Sequence, residues 1–237
     1  MAESTLSITY TDLQEEVGRY LGWNETIANW TATNTADFLR ILKGGLRKFY
    51  LPGPPNPGEP EHQWSFLRVN ATITLAVGDA DYDLPDACDG RVVDGSVGYA
   101  SGANERRLSK TDEAAIRMLQ ANEPVSGTPV YYAVRAKAHA PTTGQRYEML
   151  VYPTPSQAKV VHYSYQTLPD AITSTNIYPH GGAAYSQVIL EAILSEAERL
   201  LDDDPHGPHQ KRFELLLGAA IAKDKRTPIM VPSIPTP

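Results

Sequence analysis

The 237-residue sequence predicts an α+β protein, an antiparallel helical bundle with a small antiparallel β-sandwich or barrel domain inserted into it. Three observations lead there. Apolar residues recur at helical spacing near both ends of the chain, they alternate with period two between about Phe66 and Leu168, and prolines cluster at the joints. The organisation that follows has N-terminal bundle helices over 1–51, a proline-rich linker over 52–65 and a β-rich insert with one helix over 66–170. A helical hairpin over 171–226 completes the bundle, and an extended arm covers 227–237.

The first helix is expected after Thr11, which forms a capping-box pattern with Gln14; Leu13, Val17, Tyr20 and Leu21 share a face and Gly22 ends it. Asn34 or Thr35 opens the second, where Phe38, Ile41, Leu42, Leu46 and Phe49 recur at helical spacing. Gly44-Gly45 weakens this helix locally or admits another backbone, and Pro52 stops it. Five prolines between Pro52 and Pro60 exclude helix and central strand there.

Strands are expected at Ala71–Ala76, Tyr82–Leu84, Val92–Tyr99, Val130–Ala136, Tyr147–Val151 and Val160–Tyr165, with hairpin turns at Gly78-Asp79 and Gly144-Gln145. Ser109 or Thr111 caps a helix whose apolar face holds Ile116, Met118 and Leu119. Two further helices follow. In the first, Ile189, Leu190, Ile193, Leu194, Ala197, Leu200 and Leu201 face inward, and Glu191, Ser195, Glu198 and Asp202 form a polar stripe opposite. Phe213, Leu216, Leu217, Ala220 and Ile221 mark the buried side of the second. The arm Thr227–Pro237 is extended by composition, and its exposed Ile229, Met230, Val231 and Ile234 ask for a cover: its own chain or a neighbouring subunit.

Net charge is −7 and the sequence pI is about 5.4, so any contact with nucleic acid is passive. The lone Cys88 cannot form an internal disulfide and reads as a small buried residue. There is no eighteen-residue apolar run for a membrane span, and Met1-Ala2-Glu3-Ser4-Thr5 lacks a signal-peptide pattern.

Candidate chemistry is thin. Asp202-Asp203-Asp204 with His206 and His209 could ligate a cation or serve a hydrolase, but the run reads as turn and cap residues between two helices. His180-Gly181-Gly182 lacks the nucleophile elbow that an oxyanion loop needs. Glu15-Glu16 and Glu196/Glu198 fall on helix faces expected to be exposed. Tyr131, Tyr132, Tyr163 and Tyr165 read as sheet packing. No catalytic residue, metal or cofactor is expected.

Taken in order, Tyr82-Asp83-Leu84-Pro85, Ser126-Gly127-Thr128-Pro129 with Tyr131-Tyr132, Val151-Tyr152-Pro153-Thr154-Pro155, Tyr163-Ser164-Tyr165 with Leu168-Pro169, and the helix holding Glu191-Ala192 and Glu196-Ala197-Glu198 resemble the head–tail adaptor (connector) proteins of tailed bacteriophages. The resemblance covers about Tyr82 to Lys225. It implies a structural virion protein, not an enzyme, assembled in the host cytoplasm. As implied, it forms a ring of twelve copies beneath the portal protein, joins the DNA-filled head to a downstream tail or neck protein and extends the DNA channel. A terminal arm, here Pro228, Ile229, Met230, Val231, Pro232 and Ile234, would reach the portal or a neighbour. The other expectation is a tail or baseplate β-sandwich that recognises a carbohydrate or receptor.

Overall fold

The computed structural model describes residues 3–54, 58, 60–100, 107–201 and 204–226. In chain order the helices are α1 (Tyr10–Tyr20), α2 (Ala32–Tyr50), α3 (Glu113–Asn122), α4 (Ser186–Leu201) and α5 (Pro208–Arg226). The strands are β1 (Arg68–Leu75), β2 (Asp81–Asp83), β3 (Cys88–Val92), β4 (Gly98–Tyr99), β5 (Ser109–Lys110), β6 (Ser126–Gly127), β7 (Tyr131–Ala136), β8 (Tyr147–Tyr152), β9 (Thr154–Pro155) and β10 (Lys159–Thr167). The fold is mixed α+β, and the chain divides into a helical unit, Met1–Phe66 with Asp170–Pro237, and a β unit, Leu67–Pro169.

In the helical unit α4 is central, packed by α1, α2 and α5. Two helices start earlier than the sequence suggests. The capping box of α1 is Thr9 with Asp12: the Thr9 hydroxyl accepts the Asp12 amide at 3.2 Å and the Asp12 carboxylate accepts the Thr9 amide at 2.8 Å. Asp replaces the usual Glu or Gln of this motif, which is why Thr11 looked the better start. Thr31 caps α2 by accepting the Asn34 amide at 3.1 Å, so Asn34 and Thr35 lie within its first turn. The pair Gly44-Gly45 does not interrupt α2. A Cβ on Gly45 would lie 2.5 Å from Cα of Ile193, so the glycine is there to let α4 approach.

Beyond α2 the chain returns to this core. Trp64 is fully buried and donates its indole N–H to the Phe49 carbonyl at 2.8 Å, within an aromatic group that also holds Phe66 and Tyr185. Gly181 and Gly182, at φ 106° and 61°, turn the chain into α4.

The β unit has two principal sheets. One is ordered β1-β10-β3, with β4 also on β10; the other is β2-β8-β7-β5. Their facing sides bury Leu75, Val161, Tyr163 and Tyr165 against Tyr82, Tyr132, Met149 and Val151. The ladders are mainly antiparallel, but β5–β7 and β6–β9 are short parallel pairs. On the outer side of the second sheet Ile116 and Leu119 of α3 cover Ala133, Leu150 and Tyr152. Buried on both faces, β8 carries an apolar run from Met149 to Tyr152 after the buried Glu148, rather than an alternation.

Three sequence expectations change here. Asp112 is the N-cap of α3, and Met118 is 60% exposed, pointing away from the sheet that Ile116 covers. The segment Val92–Tyr99 breaks at a turn, with Gly95 at φ 73°, into the end of β3 and β4. Gly78-Asp79 joins β1 and β2, which pair with β10 and β8 in different sheets and so form no hairpin. Gly144, at φ 71°, does lie in the connection between the paired strands β7 and β8.

Candidate functional site

The polar residues of α4 are the largest departure from expectation. Glu191, Ser195 and Glu198 were expected on an outward stripe, and Glu196 with Glu198 on an exposed face. All four are buried, because α4 has neighbours on three sides. Each acid meets a group from another turn or helix. Glu191, 2% exposed, accepts from His209 Nδ1 at 2.8 Å, Arg212 Nε at 3.1 Å and Gln187 Nε2 at 3.1 Å. Glu196 pairs with Lys48 of α2 at 3.2 Å and Arg199 at 2.5 Å. Burial alone would raise the Glu196 carboxyl, but the hydrogen bonds from Arg199 and Lys48 outweigh it and hold the group below its ordinary value. Glu198 accepts the backbone amides of His209 and Gln210, each at 3.1 Å, and so caps α5 from the preceding helix. A Cβ on Gly207 would lie 2.7 Å from that carboxylate, so glycine before Pro208 keeps the cap accessible.

A second polar knot sits near the end of α5. One Asp224 oxygen accepts the Ser65 hydroxyl at 2.5 Å; the other accepts the Ser65 amide at 3.0 Å and lies 2.9 Å from His62 Nε2. The residue types are those of a hydrolytic triad, but the aspartate stands between serine and histidine, so the imidazole is not placed to take the hydroxyl proton. The arrangement ties the segment before the β unit to α5. Nothing in the linear sequence marked it, since Ser65 and Asp224 lie 159 positions apart.

The remaining candidates are dispersed. His209 serves Glu191, Asp204 accepts the His206 amide at 3.0 Å, and Asp202 and Asp203 lie outside the described residues. No group of three or more metal-ligating side chains occurs among the described residues. Burial pushes the Cys88 thiol up, against nucleophilic use. Burial also pushes the Tyr132 and Tyr163 hydroxyls up to about 12, and these two with Tyr165 are core residues, leaving only Tyr131 of the four exposed. Glu15 is exposed, and Glu16 pairs with Arg19 at 2.5 Å. The expected partner-binding residues Pro228, Ile229, Met230, Val231, Pro232 and Ile234 lie outside the described residues.

Besides clefts, such as the one lined by Asp83, Asp86, Lys137 and Arg146, the described surface offers exposed area. Leu215 of α5 is 76% exposed beside the exposed Gly218, Ala219 and Ala222, and β1 leaves one long edge of its sheet open among the described residues. No helix among the described residues is long and apolar enough to cross a membrane.

A helical unit pinned by interior ion pairs, joined in sequence to a β-sandwich, makes this a protein of the mixed α+β class. The chain matches the family model of the SU10 adaptor protein over residues 8–233 and belongs to that family, a family of phage head–tail adaptors. It is therefore a structural component of a bacteriophage virion. No curated protein matches it. The family match runs through both units and on to residue 233.

Proposed function

We propose that this chain is the head-to-tail adaptor that forms a ring beneath the portal, joins the DNA-filled capsid to the tail or neck and extends the DNA channel. The observation that carries this reading is the family match from residue 8 to residue 233, across both units and into the arm. Copies of the chain, twelve in the ring, are its first partners; the portal protein lies above and a tail or neck protein below. Assembly takes place in the host cytoplasm before the ring joins the virion. A heterologous ring requires two different faces on each subunit. The bundle and the inserted β unit supply them, and Pro228, Ile229, Met230, Val231, Pro232 and Ile234 form a partner-binding arm.

Charge supports the conduit. With a net charge of −7 the chain lacks the cationic surplus that drives phosphate binding, so packaged DNA passes without being gripped. The rival reading, a carbohydrate- or receptor-binding sandwich, needs a platform of exposed aromatics, whereas Tyr132, Tyr163 and Tyr165 are buried. The test is electron microscopy of the purified chain mixed with its portal protein. Rings stacked coaxially on portal are expected; dispersed single subunits beside bare portals would refute the reading.

A further inference from the structure

The open edge of β1 has a definite polarity. Within its sheet, β10 directs the backbone of its even-numbered residues toward β3 and β4: the Ser164 carbonyl accepts the Val93 amide at 2.8 Å and the Val160 carbonyl accepts the Ala100 amide at 3.1 Å. Its odd-numbered residues therefore face β1, where Tyr165, Tyr163 and Val161 stand opposite Val69, Ala71 and Ile73. The backbone groups of Asn70, Thr72 and Thr74 consequently point out of the sheet. All three residues are exposed, and none of their backbone groups has a hydrogen-bond partner on that side among the described residues.

Apart from Arg68 at its start, the usual defences of an edge are absent from this strand. It holds no proline and no lysine, and its eight-residue register with β10 is unbroken. The terminal strands on the other borders, β2, β5 and β4, have only two or three residues, and β3 has five with a register shift. An edge of this length and regularity is a template for an added strand.

The arm sequence carries the complementary pattern. In an extended strand the N–H groups of alternate residues point to opposite edges. Pro228 and Pro232 are four residues apart, so both missing donors fall on one edge. The other edge keeps the N–H groups of Ile229, Val231 and Ser233, three pairing residues for the three on β1. Such a strand can only be outermost, with its proline edge to solvent. The pattern ends at Pro235, which would fall on the pairing side.

We propose that the arm of a second copy, Pro228–Ile234, adds to the edge of β1 as an outermost strand, pairing through Ile229, Val231 and Ser233 with Asn70, Thr72 and Thr74. The proposal rests on the assembly reading above and names the acceptor of its arm. A free strand and a free edge on the same chain are the two unlike halves of a heterologous contact, which propagates around a ring.

The test is amide hydrogen exchange at Asn70, Thr72 and Thr74, with sedimentation of the same samples. In concentrated full-length protein these amides should exchange on the order of tenfold more slowly than in a chain ending at Arg226, and dilution should abolish the difference. Val231→Pro should remove the protection, and Met230→Pro, which adds a proline to the solvent edge, should keep it. Equal exchange in the full-length and shortened chains, equal effects of the two proline substitutions, or protection that survives dilution to monomer would each overturn the proposal. Sedimentation with portal protein separates the two ideas. Unprotected edge amides in a chain that still binds portal overturn the β1 contact alone; unprotected amides with no portal binding overturn the adaptor reading as well.

Discussion

The helical unit centres on a helix that buries Glu191, Ser195, Glu196 and Glu198, whereas the sandwich centres on Leu75, Val97, Tyr132, Met149, Val151 and Val161. In the first, position is set by directed bonds: a carboxylate caps α5, and another spans Lys48 and Arg199. In the second, position is set by shape and apolar burial. The difference teaches that burial can be achieved with charge when every charged group has a partner from a neighbouring turn, and that the two units should therefore fail differently.

The largest single effect is expected in the sandwich. Met149→Ala leaves a cavity between the two sheets and should cost about 3 kcal/mol by urea unfolding, equally at pH 4 and pH 7. A strong pH dependence of that loss would break the comparison.

Next comes the close approach in the bundle. Gly45→Ala drives a methyl into the backbone of Ile193 and should cost about 2 kcal/mol. Gly44→Ala meets first the end of the Glu196 side chain rather than backbone and should cost less, a difference that thermal melting of the two variants would read.

The electrostatic signature follows. The Glu196 carboxyl is held below its ordinary value of 4.5, so its contribution is complete above that pH and is lost as pH falls through the lower folded-state value. Glu196→Gln should cost about 1 kcal/mol at pH 7. The gap should close in acid, where protonated glutamate and glutamine are alike; a gap that widens in acid would contradict the assignment.

An effect of similar size has the opposite sign. The Tyr132 hydroxyl is buried with no hydrogen-bond partner among the described residues. Tyr132→Phe should therefore stabilise the β unit by about 1 kcal/mol, and a loss of stability of that size would show that the hydroxyl is satisfied.

How much of this could be read in advance differs between the units for the same physical reason. Five of the six expected strand regions coincide with strands, Val92–Tyr99 being the exception, and helical spacing located the bundle helices, because each pattern is local. The edges of elements moved where a less usual residue did the work, as with Asp12 in the capping box of Thr9. Strand partners were not legible, since the pairing of β1 with β10 joins residues up to 98 positions apart, as Arg68 with Gln166. The polar face of α4 was misread for a related reason. Glu191 and Glu198 have the spacing of a solvated stripe, and only the positions of α2 and α5 turn that stripe inward. Gly45 and Gly207 were the available hints, small residues standing opposite α4 where the helices and the turn come close. The Asp224 knot left no local trace at all, because its three groups come from two distant segments.

Removal of Thr227–Pro237 tests the central claim, the proposal that this structural protein assembles through residues 227–237. At dilutions where both chains are monomeric the shortened chain should melt at the temperature of the full-length protein, since the described ion pairs and cores all lie before residue 227, but native mass spectrometry with portal should show assembly impaired. Assembly unchanged by the deletion would contradict the account.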